Sequence, residues 1–362
     1  MSRSGGTIEP RNLNQRIRYV TATDGTRLAW AESGGGPVLV KAANWLTHLE
    51  YEWESPVWKH WIQFFSSRNR FVRYDERGCG LSDSRLGTLE LAQWTLDLES
   101  IIDAADVKGP VTLLGISQGA AACISYAIKY PERVTRLILY GGYAHGGLKR
   151  GEPKAEAAFR AMIELARVAW DHDNPTFRQV FTSRFIPGAS RQQLEWFNDL
   201  CIKSMPGAGA ARLFEARGLM DIEALLPQVR TPTLVLHARQ DQVVPIAEGR
   251  LLAGAIPGAE FVELDSANHV LLEHEPAWRR FREAVNEFQQ TAPPADTSFA
   301  ALSPRESQVL SLIAAGLSNE AIATQMRISE KTVRNHASNL YEKLGVRSRA
   351  QAMVFARDHG LS

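Results

Sequence analysis

Val111-Thr112-Leu113-Leu114-Gly115-Ile116-Ser117-Gln118-Gly119-Ala120-Ala121-Ala122 is the stretch whose reading decides the fold. It begins as a continuous apolar and β-branched run and ends by opening a helical pattern that continues to Lys129. Between the two stands G-x-S-x-G. The flanking glycines permit a sharp strand-to-helix turn that lifts the Ser117 hydroxyl above a sheet. The backbone amide of Gln118 then sits at a helix N-terminus, where it can face a developing negative charge. The plain alternative is a tight turn carrying a solvated serine. The strand before the motif and the helix after it weigh against that alternative.

The same rhythm extends outward. Val38–Lys41, Phe71–Tyr74, Val111–Leu114, Leu137–Tyr140, Thr233–His237 and Phe261–Leu264 read as strands, separated by helical patterns such as Leu89–Ala105 and Ala120–Lys129. Buried runs alternating with helices predict parallel strands covered on both faces, an α/β fold. Ahead of them, Ile17–Thr23 and Thr26–Glu32 flank Asp24-Gly25, which predicts a hairpin. From Tyr143 to Val229 the strand rhythm stops. Phe159, Met162, Ile163 and Ala166 recur at helical spacing, and Trp170, Phe177, Phe181, Phe185, Trp196, Phe197 and Phe214 follow. An inserted helical cap over about residues 144–229, covering the sheet's C-terminal edge, is expected.

A serine nucleophile needs a base, and the base needs an acid to orient it. In a fold of this kind the chain order is Ser, acid, His. Thr233–His237 runs into Ala238-Arg239-Gln240-Asp241, and Phe261–Leu264 runs into Asp265-Ser266-Ala267-Asn268-His269. One histidine among 9 is weak evidence alone, but His269 has both the order and the location. Asp265 competes with Asp241 as the acid. It sits at a strand end only four residues before His269, so Asp241 is favoured.

These residues bring a resemblance into view. The region from about Ile17 to Gln289 resembles the α/β-hydrolase superfamily, near its capped, esterase-like members. Tyr74-Asp75-Glu76-Arg77-Gly78-Cys79-Gly80-Leu81-Ser82-Asp83 is similar to that family's D-x-R-G-x-G-x-S segment, and Glu275-Pro276 follows the histidine approximately where its E-x-P region does. The resemblance implies Ser117 as nucleophile, Asp241 as acid and His269 as base, hence a carboxylesterase-like serine hydrolase. One departure stands out. Where the family has His-Gly after its third strand, this chain has Lys41-Ala42-Ala43-Asn44-Trp45. By strand-end alignment the oxyanion hole is expected from the amides of Gln118 and Asn44, with Trp45 as the alternative to Asn44. The loop continues with Trp53, Trp58 and Trp61, which either line a pocket mouth or pack helices onto the core. A similar tryptophan-rich segment in relatives attached to signalling modules implies sensing.

Beyond Gln289 the pattern changes. Gln289 to Ser298 lacks apolar periodicity and contains Pro293-Pro294, so residues 290–300 read as a linker. Domains are expected at 1–289 and 301–362. Ser303-Pro304-Arg305-Glu306 is a capping box with proline at the first helical position, and Glu306 takes the structural role of box partner. Gly316 ends that helix, Ser318 caps a second ending near Met326, and Arg327-Ile328 forms a turn. Ser329 caps a longer helix from Glu330 to about Leu344, stopped by Gly345; a fourth runs from Ser348 to Gly360. Val309, Leu310, Ile313, Ile322, Ala323, Ile328, Val333, Leu340 and Leu344 supply a small core. This is helix-turn-helix geometry.

Leu302-Ser303-Pro304-Arg305-Glu306, Gly316-Leu317-Ser318-Asn319-Glu320, Ile328 to His336 and Lys343 to Arg349 resemble the LuxR-type domain throughout. The resemblance implies transcription regulation, with signalling of the quorum-sensing kind. It implies that Arg334, Asn335 and Ser338 face base edges of double-stranded DNA, while Lys331, Thr332, His336, Arg347 and Arg349 contact phosphate. The fold class expected is thus an α/β-hydrolase fold with helical cap plus a small all-α LuxR-type four-helix domain. The function expected is a DNA-binding regulator whose hydrolase-fold domain binds, and can hydrolyse, a small-molecule effector such as an ester or lactone. A working esterase with an appended DNA-binding tail is the alternative.

Charge and composition agree. From Ala300 onward 8 Lys/Arg face 5 Asp/Glu, whereas the preceding residues hold 33 basic and 35 acidic groups. Only the tail is basic, as expected if it alone meets polyphosphate. No apolar run approaches the roughly 18 residues that span a bilayer, and the polar start MSRSGGTIEPRNLNQ lacks the apolar core of a secretory signal. Cys79, Cys123 and Cys201 are far apart and in no metal-ligand spacing, so neither disulfide, metal nor cofactor is indicated, and a reducing cytoplasm fits. A homodimer is expected, because a two-helix reader gains affinity from two half-sites.

Overall fold

Alternating apolar strands and amphipathic helices build one eight-stranded sheet. The computed structural model describes residues 14–290, 302–344, 346 and 348–358, so the expected linker beyond Gln290, Gly345, Arg347 and Gly360 lie outside the described residues. The chain divides into two units, Met1–Thr291 and Ala292–Ser362.

In the first unit, β1 (Arg16–Thr21) and β2 (Arg27–Gly34) form the hairpin. The strands stop short of the expected Thr23 and Thr26 because the turn is wider than two residues. Ala22 N–H donates to Thr26 O at 2.8 Å, Gly25 N–H to Ala22 O at 2.9 Å, and Thr26 N–H to Asp24 Oδ1 at 3.0 Å. Then come β3 (Val38–Lys41), the short helix α1 (Leu49–Trp53), α2 (Lys59–Ser66) and β4 (Arg70–Tyr74). The chain continues through α3 (Leu91–Ala104), β5 (Val111–Ile116), α4 (Gly119–Lys129) and β6 (Val134–Tyr140). Four helices follow where the strand rhythm stopped: α5 (Pro153–Ala169), α6 (Thr176–Phe185), α7 (Arg191–Ser204) and α8 (Gly207–Gly218). The sheet resumes with β7 (Thr233–Ala238), α9 (Ile246–Ala255), β8 (Glu260–Leu264) and α10 (Pro276–Gln290).

Strand order is β1-β2-β4-β3-β5-β6-β7-β8. The hairpin strand β2 pairs antiparallel with β4, and every pairing from β4 to β8 is parallel. Each residue of β5 and β7 is buried, which is why their sequences are continuous apolar runs rather than alternating ones. Of the tryptophans, Trp58 and Trp61 are core: the Trp61 indole donates to Leu271 O at 3.0 Å and packs on Trp278 and Phe281.

The D-x-R-G-x-G-x-S segment is a structural knot beyond β4. Arg77, fully buried, forks onto Asp97 at 2.7 and 2.6 Å and reaches Asp24 at 2.8 Å. Asp75 accepts the Leu49 and Leu81 amides at 3.2 and 2.8 Å, while burial pushes its carboxyl up to about 7.

The second unit holds α11 (Pro304–Ala314), α12 (Asn319–Met326), α13 (Glu330–Leu344) and α14 (Arg349–Asp358) around a core that includes Val309, Leu310, Ile313, Ile322, Val333 and Leu340. The capping box is formed: Ser303 N–H donates to Glu306 Oε2 at 2.6 Å, and Glu306 N–H to Ser303 Oγ at 3.3 Å. Arg327 ends α12 in the left-handed region at φ 54°, with Ile328 N–H returning to Ala323 O at 3.1 Å. Lys343 closes on Glu306 at 2.7 Å, tying the last turn of α13 to the first of α11. Lys343 and the Ser303 amide hold the Glu306 carboxyl down to about 2. Because the folded value lies below the unfolded one, this stabilisation is full above about pH 4.5 and is lost as pH falls through about 2. Protection of α11 amides against hydrogen exchange, taken relative to the unprotected amide at the same pH, should therefore fall in the wild-type full chain as pH drops from about 4.5 to about 2. Glu306→Gln should flatten that dependence; an unchanged profile would remove the capping box as its cause.

Candidate active site and nucleic-acid interface

Ser117 stands at the end of β5 with φ 52°, a conformation that costs a non-glycine residue about 1–2 kcal/mol. Two bonds hold it there. Its N–H donates to Tyr140 O at 2.9 Å, and its carbonyl accepts from Ala120 N–H at 3.1 Å. The turn is so tight that a Cβ on Gly115 would lie 2.6 Å from Ala120 Cα, which explains the first glycine of the motif.

Asp241 and His269 arrive from the loops after β7 and β8. His269 Nδ1 donates to Asp241 Oδ2 at 2.6 Å, and both side chains are buried. The other carboxylate oxygen accepts the Val243 and Val244 amides at 2.7 and 3.0 Å. Burial pulls the Asp241 carboxyl upward, but His269, the Val244 amide and His237 outweigh it, and the group lies below its ordinary value. Asp265 points elsewhere: it is exposed and lies 3.7 Å from Arg239. His237, a second buried imidazole beside Asp241, is occupied by Val244 O at 2.9 Å. A Cβ on Gly141 would press on the His269 ring at 3.1 Å, and φ 58° would strain any side chain there, so glycine suits the position.

The His269 loop is anchored from two sides. Glu275 accepts the Leu272 amide at 2.6 Å and the Ser266 hydroxyl, which gives Glu275 of Glu275-Pro276 an anchoring role. From the cap, Phe185 O accepts His269 N–H at 2.7 Å and its ring meets the imidazole edge-on at 5.3 Å. With Nδ1 donating to Asp241, Nε2 is the acceptor on the opposite side of the ring. Among the described residues it has no hydrogen-bond partner, so the Ser117–His269 link is not yet made. Catalytic hydrogen bonds commonly tighten only when substrate is bound.

The loop after β3 carries the expected oxyanion donor. Lys41 is buried, donates to Asn44 Oδ1 and lies 5.5 Å from the Trp58 ring; burial holds its amine down to about 8. Asn44 Nδ2 donates to Trp45 O at 3.1 Å. The Trp45 N–H, the alternative to Asn44, meets the Gln118 side chain. Sequence alone marks neither that side chain nor Arg217, and it places Glu76 and Phe185 only in the segment after β4 and among the cap aromatics. Arg217 is one arginine on an amphipathic helix and carries no local signal.

In the second unit, Lys331, Arg334, Asn335 and Ser338 are exposed on α13, while Val333, Ala337 and Leu340 face the core. Thr332 and His336 are half-buried at the margin. Thr332 N–H donates to Ser329 Oγ at 3.1 Å, and Arg334 pairs with Glu330 at 3.1 Å. Arg349 is engaged within the unit: it donates to Asn319 Oδ1 at 3.1 Å and to Leu317 O. Arg347 lies outside the described residues.

Residues 60–277 match the family model described as serine aminopeptidase, S33. The chain belongs to that family of α/β-hydrolases. Residues 300–356 match the model of the bacterial regulatory proteins of the luxR family, so the S33-family unit is joined to a LuxR-type helix-turn-helix domain. The hydrolase unit is similar to 3-oxoadipate enol-lactonase 2 of Acinetobacter baylyi, 27% identical over 63% of this chain and 83% of that protein. The tail is similar to the probable HTH-type transcriptional regulator GfsR of Streptomyces halstedii, 56% identical over 15% of this chain and 22% of that protein. An esterase of Exiguobacterium antarcticum has the same fold as the hydrolase unit, with TM-score 0.62 and 23% identity over 75% of this chain and 99% of that one. Among the described residues, no helix is long and apolar enough to cross a membrane, and no cluster of His, Cys, Asp and Glu could hold a metal ion.

Proposed function

We propose that this chain is a LuxR-family transcription regulator whose S33-family unit takes a small ester or lactone as effector and hydrolyses it. The observation that carries the reading is the buried His269–Asp241 pair at 2.6 Å beside a serine held at positive φ, in the same chain as a helix-turn-helix domain. A solvated turn serine would need neither. Enol-lactonase and esterase similarity supports the effector class.

In the proposed reaction Ser117 Oγ attacks the ester carbonyl carbon and its proton passes to His269 Nε2. The alcohol oxygen leaves with that proton, the acyl group stays on Ser117, and water releases it as the carboxylic acid. The amides of Gln118 and of Asn44 or Trp45 hold the oxyanion. An acyl-enzyme that persists would itself be a ligand-bound sensor state. In the regulator, Arg334, Asn335 and Ser338 read bases, and Lys331, Thr332, His336, Arg347 and Arg349 serve phosphate positions, on a homodimer over two half-sites.

A working esterase with an independent DNA-binding tail is the second reading, favoured by the Asp241–His269 pair itself. Linkage separates the two. An effector that favours the DNA-bound arrangement must bind more tightly when operator duplex is present, by the same factor by which it raises DNA affinity. Titrating Ser117→Ala protein, which holds ester without turnover, with and without duplex should give effector affinities at least threefold apart. Equal affinities would leave two functions merely joined in one chain.

A further inference from the structure

Gln118 does more than contribute a backbone amide. Its side chain is buried between the nucleophile, the loop after β3 and the helical cap. The neighbours dictate its orientation, since the opposite one would point its NH2 at two donors. Nε2 then donates to Ser117 Oγ at 3.0 Å, and Oε1 accepts from Arg217 Nη1 at 3.1 Å and from the Trp45 N–H. A carboxamide carbonyl resting on a backbone N–H beside the serine hydroxyl has the chemistry of a bound acyl group. Meanwhile the Nε2–H occupies a lone pair of Oγ that attack requires.

Arg217 is the part of this arrangement contributed by the cap. It lies on α8, forms a buried ion pair with Glu76 just beyond β4, and stacks over Trp45 and Trp94 at 5.5 and 5.8 Å. Its Nε has no partner among the described residues. The rings of Phe214 and Trp170 pack from the cap on the same Trp45, at 3.7 and 5.7 Å, with Phe181 behind them against both. Trp45 therefore has its ring packed by the cap and its N–H held by Gln118.

We propose that the Gln118 side chain is a built-in occupant of the acyl seat, locked there by Arg217 of the cap, so that an ester or lactone carbonyl must displace it before Ser117 can react. This rests on the hydrolase reading above and adds a resting state to it. Displacement frees Arg217 Nη1 and the Trp45 N–H for the ligand's oxygen, which makes the cap sensitive to whether the seat is filled. Arg217 is a positioning residue here, acting through Gln118.

The test uses the full chain and a fluorophosphonate that labels reactive serine, followed by intact mass. Gln118→Ala, which keeps the backbone amide, should label at least tenfold faster than wild type. Gln118→Glu should label at least tenfold slower, because a carboxylate binds Arg217 and the Trp45 N–H more strongly. Arg217→Lys, which keeps a cation for Glu76, should accelerate labelling on its own and add nothing in the Gln118→Ala background. Exchange of the Trp45 amide should also rise at least tenfold in Gln118→Ala, with the β5 amides unchanged. Unchanged Trp45 exchange overturns the proposal, as does labelling that slows when the side chain is removed, or full additivity with Arg217→Lys. If no protein labels, it is the hydrolase reading that fails, and Trp45 exchange alone then decides whether Gln118 holds the loop.

Discussion

Hydrolysis of an activated aryl acetate is expected to fall by about 10⁴-fold or more in kcat when Ser117 is replaced by alanine, since the covalent route is lost and only binding and oxyanion stabilisation remain. Asp241→Asn should cost on the order of 10⁴-fold by a different route. Asp241 Oδ2 accepts the Nδ1 proton of His269, which leaves Nε2 as the base. An asparagine NH2 at that place would donate to Nδ1 and move the proton to Nε2, on the Ser117 side. The Val243 and Val244 amides would still find an oxygen, so the fold should survive. Asp265→Ala should leave the rate unchanged, because that carboxylate is exposed and near Arg239. Steady-state rates of the three variants decide the matter. Activity that persists in Ser117→Ala removes the nucleophile, and an Asp265→Ala loss matching Asp241→Asn removes the chosen acid.

Binding of the full chain to operator duplex is expected to weaken by about 10³-fold or more between 50 and 200 mM salt if the dimer makes six or more phosphate contacts, through release of condensed counterions. Lys331→Ala should weaken binding to all sequences alike and make the slope of log affinity against log salt shallower by about 1. Arg334→Ala should cost about 1–3 kcal/mol on operator and little on random duplex. Arg334 pairs with Glu330 at 3.1 Å in the free protein, so DNA must compete for the guanidinium. Glu330→Gln should accordingly raise affinity for every sequence by removing both the competitor and a like charge. Fluorescence anisotropy across a salt series reads all of these outcomes. An affinity that does not respond to salt would exclude a phosphate-contacting face on α13, and equal losses for Arg334→Ala on both duplexes would take away its base-reading role.

Local sequence was enough for every element whose signal is short-range. Continuous apolar runs named inner strands such as β5 and β7 because these parallel strands are buried on both faces. Capping residues named the ends of α11 and α12 because Ser303 and Ser318 bond to amides three residues away. The G-x-S-x-G turn, the order Ser117, Asp241, His269 and the break in rhythm over the cap are likewise linear patterns. The hairpin turn was misjudged by a residue or two, since Ala22–Thr26 closes through its own backbone bonds rather than through the Asp24-Gly25 pair alone.

Tertiary structure decided whatever depends on contacts between distant segments. Trp58 and Trp61 could have lined a pocket or filled the core; Trp61 packs against Leu271, Trp278 and Phe281, Trp58 packs on Trp61, and both are buried. Asp241 and Asp265 each precede His269 plausibly in sequence, and only the path of the two loops sets one at 2.6 Å and turns the other to solvent. Arg349 reads as a free cation in the chain, yet folding engages it with Leu317 and Asn319. The chain from Glu76 through Arg217 and Gln118 to Ser117 joins residues far apart in sequence, and no periodicity or spacing encodes it. Side-chain pairing across a fold is set by where the backbone brings the groups, whereas helices, strands and turns are set by neighbours along the chain.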